Sequence, residues 1–276
     1  MNSQPDAAVA AKRVGLVGLG AMGRPIAERI AKAGFEVLAY DLSPDACADG
    51  VTRVDRVAAV AAADVVIVIV PTDDDVTSVV DGPDGLIANG HPGLTIVLSA
   101  SLHPKTCRAL AETGADAGIH VIDAALTGGV RGAQNGQINL LVGGDPAVVE
   151  RAADVFATFA TGCHVLGGIG AGQVGKSANN LIHWAQIVAI DEALRMAEGL
   201  GVRPGALREA LQQGPTDSRA LREMEHMRFT WFRKDIDIAR DLAGGAGRTL
   251  PVAEMSRQLM EDITVASIRQ LLESGT

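Results

Sequence analysis

Short apolar runs alternate with Ala-rich amphipathic stretches from Arg13 to about Val165. The apolar runs predict strands near residues 14–17, 35–40, 51–54, 65–70, 94–97, 119–122 and 138–142. Repeated alternation of this kind is typical of a doubly wound, mostly parallel sheet with helices on its faces. The strand at 138–142 follows an Asn-Gly turn signal soon after the strand before it. No full crossover helix fits in that interval, so we expect this strand to run antiparallel.

The pattern changes after the glycine-rich segment 167–172. From Val174 to Gly199 apolar residues recur at helical spacing without a breaker, which predicts one helix of about 25 residues. Glycines and prolines then separate further helical stretches, and the pattern indicates no further strand. The predicted fold is therefore an α/β N-terminal Rossmann domain, residues 1–168, followed by an all-α C-terminal domain, residues 169–276, that opens with the long helix.

The charge balance excludes some partners. A net charge of −9 and a pI near 5.1 disfavour broad attraction to nucleic acid or to an anionic membrane surface. The most apolar run, Val65 to Val70, is too short to span a bilayer. Three widely spaced cysteines favour reduced thiols and a cytoplasmic location. Met1 to Lys12 lacks the features of a signal peptide, and we expect a loose tail there.

A glycine pattern lies where the first strand turns into a helix. The segment Gly18-Leu19-Gly20-Ala21-Met22-Gly23 fits a G-x-G-x-x-G turn that brings a helix N-terminus to a dinucleotide pyrophosphate. The second strand ends at Asp41, where a carboxylate would accept hydrogen bonds from a ribose and repel a 2′-phosphate. We therefore predict NAD in preference to NADP. The alternative is a structural βα turn in which Asp41 is the N-cap of the next helix.

Two further segments follow later strands. The turn at Pro71 and Thr72 is expected to border the cofactor, and the three acids of Asp73-Asp74-Asp75 are expected to cap the next helix. The histidines are scattered without ligand spacing, so we predict no metal site. Ser101 follows the fifth strand and has two open interpretations, a hydroxyl beside the nicotinamide or a helix cap before Pro104.

Lys176 and Asn180 are four residues apart near the start of the long helix, so their side chains project from one face. Such a pair by itself is typical of an ordinary solvated helix face. Three more motifs accompany it, namely Gly18 to Gly23, the segment Asp123 to Gly129 with Ala133 and Gly136, and Lys234-Asp235 before an apolar helix. With these four motifs the chain resembles the β-hydroxyacid dehydrogenase family, distant relatives of 6-phosphogluconate dehydrogenase, from Arg13 to its C-terminus.

The resemblance implies a role for each motif. Thr127, Gly128 and Gly129 would hold the substrate carboxylate, and Lys176 would be the general acid/base, with Asn180 orienting it and the substrate. Burial and a cationic nicotinamide would both disfavour the charged ammonium form of such a lysine. Lys234 would approach the nicotinamide. Arg131, just beyond the turn, would either meet a second anionic group of the substrate or face solvent.

The chain departs from the family pattern at several positions. Ala125 stands where the family has Pro, and Thr127 stands where it has Ser, which keeps the hydroxyl but stiffens χ1. The segment 213–232 is shortened, and Arg219 replaces an expected aromatic residue. These departures leave the substrate open.

The resulting hypothesis is NAD-dependent oxidation of a small 3-hydroxy acid to its semialdehyde, or the reverse reduction, by a homodimer or homotetramer. One alternative is an imine reductase, a class that shares the architecture but generally lacks the lysine found here at position 176. The other alternative is a non-catalytic dinucleotide-binding regulatory protein.

Overall fold

The computed structural model describes residues 12–274, so the tail expected at Met1 to Lys12 lies outside the described residues except for Lys12. The chain divides into two compact units, Met1–Lys176 and Ser177–Thr276. The domain boundary predicted at residue 168 stays a prediction. Among residues 12–274 no helix is both long and apolar enough to cross a membrane.

The first unit is built on one eight-stranded sheet with the spatial order β3-β2-β1-β4-β5-β6-β7-β8. The chain leaves β1 for β2 and β3 on one side and then crosses to β4 on the other, which makes a topological switch point beside β1. In chain order the strands are β1 (Arg13–Val17), β2 (Glu36–Tyr40), β3 (Thr52–Arg53), β4 (Val65–Val68), β5 (Thr95–Leu98), β6 (His120–Thr127), β7 (Ile138–Gly143) and β8 (Ala160–Gly167).

Strand direction and strand number can be compared with the predictions. All neighbouring pairs are parallel except β6 and β7, which confirms the antiparallel strand predicted at 138–142. The pattern missed β8, which lies at the edge of the sheet and exposes most of its residues. A largely exposed edge strand carries no apolar alternation from which it could be recognised.

Helices cover both faces of the sheet because its central strands are apolar on both sides. In β4, Val65 and Ile67 face one apolar cluster, whereas Val66 and Val68 face the other. The helices of this unit are α1 (Gly23–Lys32), α2 (Val57–Val60), α3 (Asp73–Asp81), α4 (Leu86–Asn89), α5 (Pro104–Asp116), α6 (Gly129–Asn135), α7 (Pro146–Arg151) and α8 (Ala153–Phe156).

The long helix predicted from Val174 is α9 (Ala171–Gly199), with 29 residues. The second unit contains most of it, and no strand follows β8 within the described residues. Trp184 lies in the apolar core of this unit, in edge contact with Phe229 and Phe232. The remaining α-helices are α10 (Pro204–Leu211), α11 (Arg219–Glu223), α12 (Phe232–Gly245), α13 (Pro251–Leu259) and α14 (Val265–Glu273), and a 3-10 helix at Met224–His226 follows α11. The α/β first unit and the helical second unit confirm the predicted fold class.

Candidate active site

The glycine turn between β1 and α1 requires glycine at two of its three positions. Gly18 has φ of +101°, and a Cβ there would collide with the carbonyl oxygen of Ile69. A Cβ on Gly23 would collide with the carbonyl oxygen of Gly18. Gly20 faces open space, since a Cβ there would meet no atom within 4 Å. The turn thus packs against the protein at Gly18 and Gly23 and leaves space beside Gly20, where a pyrophosphate fits.

The start of α1 is available to an anion. Leu19 is buried, Ala21 is exposed, and Met22 occupies the N-cap without making a side-chain capping hydrogen bond. Backbone N–H groups in a first helical turn have no partner within the helix, and the helix dipole favours negative charge there. The residues present therefore fit a dinucleotide phosphate.

Asp41 lies directly after β2 and is joined to the glycine turn. The Leu19 N–H donates to Asp41 Oδ2 at 2.6 Å, and the Ser43 N–H donates to Asp41 Oδ1 at 2.8 Å. Each carboxylate oxygen retains a second lone pair for a ribose hydroxyl. No helix begins at Asp41, because the next helix after β2 is α2. The N-cap alternative is therefore wrong.

The candidate residues that follow strands lie at one edge of the sheet. Gly18 follows β1, Pro71 follows β4, Ser101 follows β5, and Thr127 ends β6. These strands are parallel to one another, so their carboxyl ends meet at the same edge, where ligands of open α/β sheets bind.

The turn at Pro71 and Thr72 leads into α3. Thr72 is the N-cap, and its side chain accepts a hydrogen bond from the Asp75 N–H at 3.1 Å in a capping box. Asp73 Oδ2 accepts from the His103 N–H at 3.0 Å and from the Thr106 hydroxyl at 2.6 Å, which ties the start of α3 to the start of α5. The acids therefore support helix starts, as the sequence indicated.

Ser101 is half-buried in the segment between β5 and α5. It does not cap α5, since His103 is the N-cap and its Nδ1 accepts from the Lys105 N–H at 3.1 Å. Of the two interpretations open from the sequence, the helix cap is wrong. The nicotinamide role stays a prediction.

The turn after β6 has a backbone that depends on glycine. Gly128 and Gly129 have φ values of +115° and +66°, and α6 begins at the second of them. The Thr127 hydroxyl donates to the Asn139 carbonyl oxygen at 2.9 Å on the facing strand β7. Its proton is therefore directed at the sheet. Arg131 is exposed on α6.

Lys176 reaches the end of the same strand. Its Nζ donates to the carbonyl oxygen of Leu126 at 2.9 Å, immediately before Thr127. The structure thus brings the lysine to the start of the Thr127 to Gly129 turn. This hydrogen bond fixes the direction in which the amine points, and a defined orientation is what a general base requires.

Asn180 and Lys234 belong to the second unit. Asn180, on α9, is almost fully buried, and its Oδ1 accepts from Asn179 Nδ2 at 3.0 Å. Lys234 is partly buried in the first turn of α12. The next residue, Asp235, accepts a hydrogen bond from the Trp184 indole at 3.1 Å, which joins α12 to α9.

A fully buried carboxylate had no role assigned from the sequence. Asp123 interrupts the apolar strand β6 and has no exposed surface. It accepts from the Gly170 N–H at 2.5 Å and the Gln173 N–H at 2.9 Å. Burial raises the pKa of the Asp123 carboxyl group, while these N–H donors oppose that shift. The signal in the sequence was an acid inside an apolar run, which needs partners when buried.

A metal centre is not formed within residues 12–274, where no three His, Cys, Asp or Glu side chains come together as a ligand group.

Cys107 is buried in the core of the first unit, and burial raises the pKa of its thiol. A thiol in that state is a poor nucleophile.

Comparison with known proteins covers nearly the whole chain. Residues 13–168 match the NAD binding domain of 6-phosphogluconate dehydrogenase, and residues 170–270 match the NAD-binding domain of NADP-dependent 3-hydroxyisobutyrate dehydrogenase. The 2-hydroxy-3-oxopropionate reductase of Escherichia coli K12 is 31% identical over 277 residues, which is 95% of each chain.

Two further proteins are similar. A 3-hydroxyisobutyrate dehydrogenase of Pseudomonas aeruginosa is 33% identical over 213 residues, which is 75% of this chain and 72% of that one. The structure of a Mycobacterium tuberculosis 3-hydroxyisobutyrate dehydrogenase with L-serine superimposes with a TM-score of 0.84 at 24% identity, over 96% of this chain and 100% of that chain. At that identity the likeness shows the fold.

Proposed function

Because the chain belongs to the β-hydroxyacid dehydrogenase family and is an oxidoreductase acting on CH–OH groups, we propose that it oxidises a small 3-hydroxy acid to the semialdehyde, or catalyses the reverse reduction, with NAD as cofactor. The observation that carries the proposal is the hydrogen bond from Lys176 Nζ to Leu126 O at 2.9 Å. It puts a titratable amine beside a turn of glycine N–H groups at the ligand-binding edge of the sheet.

The proposed chemistry divides between that turn and that amine. Backbone N–H groups of Gly128 and Gly129 would hold the substrate carboxylate, as the resemblance implies. Neutral Lys176 would take the proton of the substrate hydroxyl during oxidation and return it during reduction. The Leu126 carbonyl would orient the amine throughout. Bound NAD would supply the hydride acceptor.

The remaining site residues are assigned by resemblance and position. Asn180 would orient the amine and the substrate, Lys234 would approach the nicotinamide, and the Ser101 hydroxyl would lie beside it. Arg131 is a candidate for a second anionic group of the substrate. Thr127 would also contact the substrate. Because its hydroxyl donates to the Asn139 carbonyl oxygen, its oxygen would serve as an acceptor.

For the cofactor, we propose that Gly18, Leu19, Gly20, Ala21, Met22 and Gly23 enclose the pyrophosphate. The turn at Pro71 and Thr72 would border the same molecule. Asp41 would accept hydrogen bonds from the adenosine ribose, and its negative charge would repel a 2′-phosphate. This repulsion is the basis for proposing NAD in preference to NADP.

Assembly and location are also proposals. Apolar residues of α9 form a stripe at spacings of three and four residues, exposed except for the half-buried Ala185 and Ala193, which we name the outer stripe: Ala178, Ile182, Ala185, Ala189, Ala193 and Met196. Such a stripe favours a homodimer or homotetramer. The cysteine usage favours the cytoplasm.

The function is tested with NAD and NADP reduction on a panel of 3-hydroxy acids: 3-hydroxyisobutyrate, 3-hydroxypropionate, glycerate, serine and threonate. We expect NAD-linked turnover by the wild type and a fall in kcat of about 10² to 10⁴-fold in Lys176→Met, because a thioether takes no proton. NADH binding, followed by fluorescence, should be retained in that variant. Lys105→Met, at an exposed lysine of α5, is the matched control and should keep wild-type kcat.

Two results would contradict the proposal. Tight NADH binding without turnover of any acid would favour the regulatory alternative, and reduction of cyclic imines without turnover of hydroxy acids would favour the imine reductase. Equal kcat in Lys176→Met and the wild type would remove the lysine from the mechanism.

A further inference from the structure

One buried residue at the start of α9 makes two side-chain hydrogen bonds and one backbone hydrogen bond. Gln173 is 1% exposed. Its Nε2 donates to the Ala100 carbonyl oxygen at 2.8 Å, and its Oε1 accepts from the Leu102 N–H at 3.0 Å. The carboxamide is thus hydrogen-bonded to the main chain on both sides of Ser101, at the Ala100 carbonyl oxygen and the Leu102 N–H. Its own backbone N–H donates to Asp123 Oδ2.

Two parallel cross-links connect β6 with α9. Asp123 accepts from the Gln173 N–H, and Leu126, three residues further along β6, accepts from Lys176, three residues further along α9. Gln173 and Lys176 lie on neighbouring turns of one helix face. Glycine makes this approach possible, because a Cβ on Gly172 would lie 2.7 Å from Asp123 Oδ2.

Gln173 therefore fixes two segments at once. Through its side chain it holds the backbone on either side of Ser101, and through its backbone it holds the helical turn that precedes Lys176. Both contacts are buried, so water does not compete for them, and each group left without its partner would lose a full hydrogen bond.

We propose that Gln173 is a positioning residue of the dehydrogenase site, which sets the distance and direction between the Ser101 segment and the Lys176 amine. The expected effect of Gln173 on turnover rests on the proposed function. The structural link between residues 100–102 and the first turn of α9 does not depend on that function.

The test compares Gln173→Met with Gln173→Glu. Gln173→Met keeps the length and loses both side-chain hydrogen bonds, whereas the carboxyl group of Gln173→Glu keeps the acceptor for Leu102 and can donate to Ala100 only when it is protonated. Gln258→Met, at an exposed glutamine of α13, is the matched control. Three quantities are measured: kcat and KM for the active acid, amide hydrogen exchange across residues 98–104, and the rate at which a lysine-acylating reagent labels Lys176.

We expect kcat to fall at least tenfold in Gln173→Met, with a smaller change in KM, and to fall less in Gln173→Glu. Exchange at the Leu102 amide should accelerate at least tenfold in Gln173→Met and stay near wild type in Gln173→Glu. Labelling of Lys176 should become faster, because the first turn of α9 loses its side-chain link to residues 100 and 102 and keeps only the backbone link to Asp123. The exchange of Gly18 to Gly23 should not change.

Three results would overturn the proposal: unchanged kcat in Gln173→Met, exchange that accelerates across the whole first unit together with a matching loss of folded protein, or Lys176 labelling that stays at the wild-type rate. If the wild type turns over no hydroxy acid, the proposed function fails while exchange and labelling still decide the coupling. If Gln173→Met does not fold, the same criteria apply to Gln173→Glu, with loss of kcat and faster labelling expected.

Discussion

The carboxylate of Asp41 holds the glycine turn, and we propose that it also selects NAD over NADP. One oxygen accepts the Leu19 N–H of the glycine turn, and the other accepts the Ser43 N–H. The nearby Arg53 guanidinium donates to the main-chain carbonyl oxygens of Ala46 and Asp41 at 2.8 and 3.1 Å. This arginine is thus already bound to carbonyl groups, and under the proposed preference for NAD the Asp41 charge would repel a 2′-phosphate.

Replacing that carboxylate should change cofactor choice. We expect Asp41→Ser to lower kcat/KM with NAD by about tenfold to a hundredfold, the equivalent of one charge-assisted hydrogen bond, and to raise the NADP to NAD ratio. Steady-state kinetics with both cofactors measure the ratio. Asp45→Ser, at an exposed acid on the same loop, is the control. An unchanged ratio in Asp41→Ser would remove Asp41 from cofactor selection.

The buried Asp123 makes stability depend on pH in an identifiable direction. Burial raises its pKa in the folded state, so its contribution to stability is complete below the ordinary aspartate pKa and is lost as pH rises through the raised value. Asparagine does not titrate. The free energy of unfolding of the wild type, relative to Asp123→Asn, should therefore fall as the pH rises above about 4, by at most about 1.4 kcal/mol per pH unit, and level off above the raised pKa.

Urea denaturation of both proteins at several pH values measures this difference. Buffers of equal ionic strength keep the screening of surface ion pairs the same at every pH. A difference that rises with pH would mean that hydrogen bonding to the carboxylate outweighs its desolvation.

Some features of the candidate site can be predicted from the sequence, and others cannot. The glycine turn, Asp41 and Lys176 are encoded by short spacings next to a recognisable strand or helix. The hydrogen bond from Thr127 to Asn139 depends on the register of an antiparallel pair, in which the two residues face each other. The sequence does not contain that register, so the hydroxyl was assigned to the substrate without its competing acceptor.

At the scale of elements, the short helix α6 depends on α1. The Arg29 Nη2 of α1 donates to the Gln134 carbonyl oxygen at 2.7 Å, and its Nε donates to the carbonyl oxygens of Ala133 and Gln134 at 3.2 and 3.1 Å. A guanidinium at a helix C-terminus complements both its unpaired carbonyls and its dipole. A helix of seven residues is marginal without such support.

Because α6 begins at Gly129, loosening its far end should weaken the binding of a substrate carboxylate that we propose for this turn. We expect Arg29→Ala to raise KM for the hydroxy acid about fivefold to thirtyfold, equivalent to about 1 to 2 kcal/mol, with NADH affinity nearly unchanged. Lys32→Ala, at an exposed lysine of α1, is the control. Equal losses of acid and NADH binding would instead indicate general damage to α1.

The elements themselves were predictable to different degrees. Buried strands such as β4, and the long α9, leave a strong apolar period, whereas β8 is exposed and was missed. Helix α9 also begins at Ala171, three residues before the predicted start. Its first turn is fixed by contacts with Asp123 from a distant strand, and a local pattern cannot report such contacts.

At the scale of the whole molecule, the outer stripe of α9 is the main argument for assembly. Its two large members, Ile182 and Met196, are 59% and 64% exposed, and only alanines lie between them in the stripe. Small residues allow close approach of a facing helix, while the two large residues that flank the central alanines supply apolar area. A two-fold arrangement would bring this surface against its own copy.

We therefore expect the wild type to elute as a dimer or tetramer in size-exclusion chromatography with light scattering, and Ile182→Asp together with Met196→Asp to shift it towards the monomer. Burying two carboxylates on each chain opposes association by several kcal/mol. Val252→Asp, at a 65% exposed valine of α13 outside the outer stripe, applies the same chemical change elsewhere and should leave the mass unchanged. A wild type that stays monomeric at every concentration would show that the outer stripe does not drive association. A double variant that keeps the wild-type mass would place the interface on another surface.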